Sequence, residues 1–526
     1  MTTLTRQQLL IGLSAAGLAA IPGEGAASAS RWLTEVNRDW VVSEDEAIAW
    51  HRAKDENGPA LTGNESWRRF MAFLEAKLRA YGCADMQRSS WPFMRRESSM
   101  WPDDSKWSLL ANGRRVPLAN FGANCGLTGP EGVTAPLVLW DAENPPDVAG
   151  KIVVYRPAPR PDVRDPFSDS DYERMTPFDS WPVEGSPAPQ EQNATNSIAA
   201  PVWDEMTASS NFIAAIAAAR PAGVIFATGL NRATAAGLYT FRVPEHYDFP
   251  SVYLDRANGD AVIADARAGA SATLRVEGEE VQAEAYQLIA CLPGRDYGSE
   301  RDRQIQLRTH TDGPSISQDN GALGLLGVIK YMSRLPRRRR PRTLLIEFDC
   351  RHFMPGAERA WEHEDYFQKH PRARDRVGAL IAMEHLGQID YVADGEEIRP
   401  SGRSLPTWIY ASANPAMIDQ AYEAARANGV RSAIVRSPGR PGAHGRSQGP
   451  WYGMSRQGQL LGLPTFGVQG DLGAYWAHSA RLDRFDARSF VRQVATFCQL
   501  TGFLMSADLA ALRPHPVELP PPTAFR

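Results

Sequence analysis

The chain is short of cysteine, lacks long apolar runs after its first residues, and carries no marked excess of charge of either sign. Its five cysteines, Cys83, Cys125, Cys291, Cys350 and Cys498, are scattered through 526 residues. None stands in a Cys-x-x-Cys pair, which excludes a thiolate zinc knuckle, and an odd, unspaced set gives no disulfide framework. Cys350 neighbours His352, but residues two apart at a strand end need not touch, so a cysteine nucleophile is disfavoured. A formal net charge of −4 and a pI near 6.2 argue against nucleic acid as a partner, since a phosphate-backbone binder carries a concentrated basic face. The one basic run, residues 337–342, lies between a helical pattern and a strand and reads as a solvated loop. No later segment approaches the ~18 uninterrupted apolar residues of a membrane-spanning helix, so no stable membrane span is expected.

What is present describes a globular chain with a large core: 43% of residues are hydrophobic and 22% charged. Residues 1–29 have the form of a secretory leader, with Arg6, an apolar stretch over 9–21 and a small-x-small site at Ala27-Ser28-Ala29. Export to the periplasm or medium, with cleavage near Ala29, is the expectation. Residues 65–81 carry apolar side chains at three- and four-residue steps behind Asn64, a helix cap. From about 117 the texture changes to short strand-like runs broken by Pro, Gly and Asp, with a proline- and serine-rich surface excursion over 160–202. This stretch, 117–283, reads as an inserted β-rich module.

From 284 onward strands alternate with helices over 321–333, 356–366, 415–428 and 487–505. Such alternation predicts an α/β fold with a mixed, mostly parallel sheet covered by helices on both faces. The expected division is therefore a leader (1–29), the first part of the main domain (30–116), the insert (117–283), the rest of the main domain (284–508) and a proline-rich tail (509–526).

Three polar clusters sit directly behind apolar strand runs. Residues 305–308 lead into Thr309, His310, Thr311 and Asp312; residues 343–348 lead into Asp349, Cys350, Arg351 and His352; residues 377–383 lead into Glu384 and His385. In an open α/β sheet the ligand crevice lies beyond the carboxyl ends of the strands, so such residues converge in space. Histidines and carboxylates meeting there point to a metal site.

With these residues laid out, the chain from about 58 to 505 resembles the co-catalytic zinc aminopeptidase family that carries an inserted protease-associated domain, a group related to glutamate carboxypeptidases, glutaminyl cyclases and the transferrin receptor. Gly58-Pro-Ala-Leu-Thr-Gly-Asn64 resembles the family's opening segment. Val148-Ala-Gly-Lys-Ile-Val-Val-Tyr155 and Gly223-Val-Ile-Phe226 resemble the insert, and Leu288-Ile-Ala-Cys-Leu-Pro-Gly294 resembles the return to the catalytic fold. His310-Thr-Asp312 is similar to the family's His-x-Asp motif, which implies His310 as a zinc ligand and Asp312 as the group orienting its ring. Asp319-Asn320 resembles the pair whose Asp bridges two zincs. Glu384 matches the next acidic ligand, and His478, in Tyr475-Trp-Ala-His478-Ser479, matches the last histidine ligand.

The departure falls at the third motif. Where the family has Glu-Glu, a general base followed by a ligand, this chain has Arg351-His352. Neutral imidazole replaces a carboxylate ligand, so His352 joins the implied set. A guanidinium accepts no proton, so Arg351 is left to hold a substrate carboxylate or a developing oxyanion. His385, Asp349 and Glu347 are the alternatives for the base. His385 also competes with Glu384 for the ligand position, because neighbours on a strand point to opposite faces. Residues 439–453 form a glycine-rich loop in which Trp451 and Tyr452 are candidates for a pocket wall.

The resemblance thus implies an exported hydrolase with one or two zinc ions at His310, Asp319, His352, Glu384 and His478, acting on a peptide or a small amide or ester. A binding protein that kept the fold and lost catalysis is the competing reading, with Arg351 as its support; an altered acyl transfer in the same pocket is the third.

Overall fold

The structure, a computed structural model, describes residues 35–157, 171–176, 198–239, 245–355, 367, 370–470 and 476–514. The leader at 1–29, most of the excursion at 160–202, the helix expected over 356–366 and the tail beyond 514 lie outside the described residues. No helix among the described residues is long and apolar enough to cross a membrane.

A nine-stranded mixed sheet organises the main domain, in the order Ala84–Glu97, Glu279–Leu292, Thr343–Asp349, Gln304–His310, Val377–Glu384, Thr465–Gly470, Thr407–Ala411, Ala433–Arg436, Arg174–Met175. The strands Thr343–Asp349, Gln304–His310, Val377–Glu384 and Thr465–Gly470 are mutually parallel, so Asp349, His310 and Glu384 end at one edge. Antiparallel strands flank this block on both sides. Alternation along the Gln304–His310 strand sends Ile305 and Leu307 into the main core, and sends Gln306, Arg308 and His310 to the opposite face.

The main core is closed by the helices Glu44–Asp55, Glu65–Ala80, Gly321–Ser333, Pro415–Ala427 and Ala487–Ser506. Helix Glu65–Ala80 starts where the sequence predicts: the Asn64 side chain accepts the Trp67 N–H at 2.7 Å, and Trp67, Phe70, Met71, Leu74 and Leu78 face inward. Helix Glu44–Asp55 was not announced by its apolar pattern. Its buried face is Ala47, Trp50, His51 and Lys54, one stripe at three- and four-residue steps in which half the side chains are polar.

An eight-stranded sheet is built from strands between Trp107 and Val276. Its core is not closed on itself: Phe353, Trp408, Tyr410, Trp451 and Trp476 complete it. The basic run is exposed at Arg337, Arg338 and Arg339, as the solvated-loop reading expects, and is anchored by some of its side chains. Arg337–Arg339 forms a 3-10 turn, and Arg337 Nε donates to the Gly294 carbonyl at 3.0 Å. Arg342 donates to the Leu504 and Ala507 carbonyls, both at 2.7 Å, and so caps the carboxyl end of the last helix.

Candidate metal centre

His310 closes its strand with no exposure to solvent. Its Nδ1 donates to the main-chain carbonyl of Asp312 at 2.9 Å. A carbonyl only accepts, which places a proton on Nδ1 and, in the neutral ring, leaves the lone pair on Nε2. Nε2 makes no hydrogen bond and looks at Oε2 of Glu384, likewise without one, across 3.5 Å. Burial disfavours charge on His310, but Glu384, Asp312 and Asp319 outweigh it and raise its pKa, so the pocket has a field that seeks positive charge.

Glu384 is aimed by the turn beside it. Its Oε1 accepts the Met454 N–H at 2.5 Å, and Gly453, at φ +60°, packs so closely that a Cβ would overlap the carboxylate. His385 then leaves the strand with a left-handed backbone, φ +56°. The either-or choice between Glu384 and His385 assumes strand alternation, and the alternation ends at Glu384. One donor atom each from His310, Glu384 and His385 lies within 4.8 Å of the other two. Among the described residues no other such set of three or more is found. Burial lowers the His385 pKa to about 3, which keeps the imidazole in the neutral form that a metal binds.

The other implied ligands flank this set without entering it. Asp319, fully buried, is met by Lys54, whose Nζ lies 2.5 Å from Oδ1; burial raises its pKa to about 6 against the pull of Lys54 and His310. Asn320 grips the chain after His385, donating to the Leu386 carbonyl at 2.8 Å and accepting its N–H at 2.9 Å. The His352 ring stacks on His310 at 4.1 Å between centroids. His478 lies in the wall of a cavity of about 320 Å³, with Thr62, Arg95, Tyr239 and Phe353. Both its ring nitrogens lack hydrogen bonds, and burial lowers its pKa to about 3.

Asp312 acts on His310 through its main chain, because its Oδ1 is 3.8 Å from Nδ1. The carboxylate instead accepts the N–H groups of His352 at 3.2 Å and Phe353 at 2.6 Å and the Thr62 hydroxyl at 3.1 Å, pinning the loop that presents His352. Arg351 is buried and turned onto Asp349, with Nε 3.0 Å from Oδ1 and the guanidinium 4.9 Å from the Trp91 ring centre. Asp349 also accepts from Gln287 at 3.2 Å, while Glu347 faces Arg308 at 3.3 Å and accepts from Gln287 and Gln306. The two strand carboxylates considered as bases are thus both held in a buried ion network. Cys350 is buried with its thiol pKa pushed well up. Trp451 packs on Tyr410 at 5.6 Å, in the core below the eight-stranded sheet.

Sequence reasoning missed Lys54 and His51. The signal was the face shared by positions 47, 50, 51 and 54, where two ionisable side chains replace apolar ones.

The donors fit zinc: imidazoles and a carboxylate, buried, converging, with His310 Nε2 and Glu384 Oε2 lacking hydrogen-bond partners. No protein-family model matches the chain, and no curated protein sequence does. Solved structures do resemble it. A Peptidase M28 precursor from Shewanella amazonensis superposes with a TM-score of 0.58 at 14% identity, over 93% of this chain and 98% of that one. BSAP, a zinc aminopeptidase from Bacillus subtilis, superposes with a TM-score of 0.52 at 11% identity, over 87% of this chain and 94% of that one. At these identities the likeness is one of fold.

Proposed function

We propose that the chain is a zinc-dependent, aminopeptidase-like hydrolase of amide bonds, with the ion held by His310, Glu384 and His385. The observation that carries this reading is the pair of buried atoms, His310 Nε2 and Glu384 Oε2, facing each other across 3.5 Å with no other polar partner on either. When bound, such an ion supplies Lewis acidity toward a carbonyl oxygen. The chain's own part is positional. The Asp312 carbonyl holds the His310 tautomer and the Met454 N–H holds Glu384, while the cavity lined by His478, Tyr239 and Phe353 offers room for a substrate. His352 and His478 are proposed to hold polar groups of that substrate, or of the metal's remaining shell. Export rests on the leader pattern of residues 1–29, and the eight-stranded sheet is proposed as the protease-associated insert.

A second reading, a binding protein on a peptidase fold, is favoured by one observation: Asp349 and Glu347, two of the candidate bases, are engaged by Arg351 and Arg308. Zinc analysis of the purified protein, with a panel of aminoacyl amides, dipeptides and esters, separates the two. Bound zinc with turnover that disappears in His310→Ala is the expected result. Bound zinc without turnover on any substrate favours the binding protein, and a protein that takes up no zinc ends the hydrolase reading.

A further inference from the structure

Lys54 sits one residue from the end of helix Glu44–Asp55, and its ammonium is fixed on several sides. Nζ lies 2.5 Å from Asp319 Oδ1, donates to the Ser315 carbonyl at 2.9 Å and stands 5.8 Å from the centre of the Phe70 ring. Both side chains of the pair are shut from solvent, at 2% and 0% exposure. The helix end is itself tied down: Asp55 accepts the Leu482 N–H at 3.1 Å and pairs with Arg481.

Charge decides what else the pocket can hold. Asp312, Asp319 and Glu384 are buried carboxylates; of these Asp319 is met by the Lys54 ammonium and is also within the field of Arg481. A divalent ion beside Glu384 meets a carboxylate with no ammonium on it, whereas one on Asp319 meets a carboxylate already facing a cation. A second divalent ion on Asp319 would also lie beside a fixed ammonium in a medium of low dielectric, where like charges repel strongly. We propose that Lys54 is a built-in cation standing in place of a second metal ion: the centre takes one divalent ion, at His310, Glu384 and His385, and Asp319 does not bridge. This rests on the reading of His310, Glu384 and His385 as a metal centre.

The test is the number of zinc ions per chain, counted by plasma mass spectrometry after loading the full chain with excess zinc and desalting. One ion is expected in the wild type and in Lys54→Arg. Two are expected in Lys54→Met, because the ammonium no longer occupies Asp319. Two ions in the wild type overturn the proposal and leave the metal centre standing; a folded Lys54→Met that still takes one overturns the role of Lys54. No ion in any form removes the centre and the proposal together. Should Lys54→Met fail to fold, the cobalt(II)-loaded wild type decides: an isolated high-spin signal in electron paramagnetic resonance supports the proposal, and a magnetically coupled pair defeats it.

Discussion

Arg351 folds back onto Asp349, two positions before it. Its main-chain N–H and its Nε both donate to Oδ1, at 2.9 and 3.0 Å, and its Nη2 bonds Oδ2. The pair is closed to solvent, at 1% and 0% exposure. The residue that departs from the Glu-Glu pattern is thereby engaged in its own strand end, where it neutralises a carboxylate that Arg308 approaches to 4.0 Å.

Arg351→Met is therefore expected to cost stability more than substrate affinity. Removing one partner of a buried pair leaves the other uncompensated, a loss of about 3–5 kcal/mol. Replacing both, as in Arg351→Met with Asp349→Leu, should restore most of it. Urea unfolding of the three variants checks this; an unchanged midpoint with a raised KM would instead return Arg351 to the substrate.

Gly453→Ala tests how Glu384 is aimed. A methyl group there overlaps the carboxylate, and φ of +60° adds strain for any side chain. Zinc affinity should fall about 10–100-fold, the usual effect of disturbing a ligand's support. Competition with a chromophoric chelator measures it, with the far-UV circular dichroism unchanged.

Asp312→Asn should loosen the loop after the Thr343–Asp349 strand. The carboxylate accepts from His352, Phe353 and Thr62, and an amide that turns its NH2 toward those donors leaves buried groups unmatched, at about 1–3 kcal/mol. The His310 ring keeps its hydrogen bond to the carbonyl, so zinc affinity should drop far less than in His310→Ala. Thermal melts and the same chelator assay separate the two effects.

Glu205 gives a pH dependence remote from the metal centre. Burial raises its pKa from 4.5 to about 7, against the Gly229 N–H and Arg156 and with help from Asp204. Its folded pKa lies above the unfolded one, so between about pH 4.5 and 7 the folded state binds the extra proton. That contribution is fully present below pH 4.5 and is lost as pH rises through 7. The loss amounts to about 3 kcal/mol at most. Glu205→Gln should flatten this part of the stability profile and be the more stable form at pH 8; equal slopes in denaturation series from pH 4 to 8 would refute it.

Much of the fold was legible because its signals are local. The Asn64 cap and the inward face of Glu65–Ala80 belong to one continuous stretch of sequence. The strands ending at His310, Asp349 and Glu384 are apolar runs that stop at a polar cluster. Their meeting at one edge follows from parallel pairing, for which strand-helix-strand alternation is the sequence sign. Helix Glu44–Asp55 escaped notice because its buried stripe includes His51 and Lys54, which a pattern of apolar residues does not count.

The sequence by itself determined that this is an α/β chain whose histidines and carboxylates gather at the carboxyl ends of parallel strands, since periodicity and residue type suffice for that. Only the tertiary structure decided the pairings: His385 beside Glu384 through one left-handed residue, Arg351 against Asp349, and Lys54 brought from a distant helix onto Asp319. A buried charge must find an opposite charge or a donor somewhere, and the sequence does not say which element will carry it there.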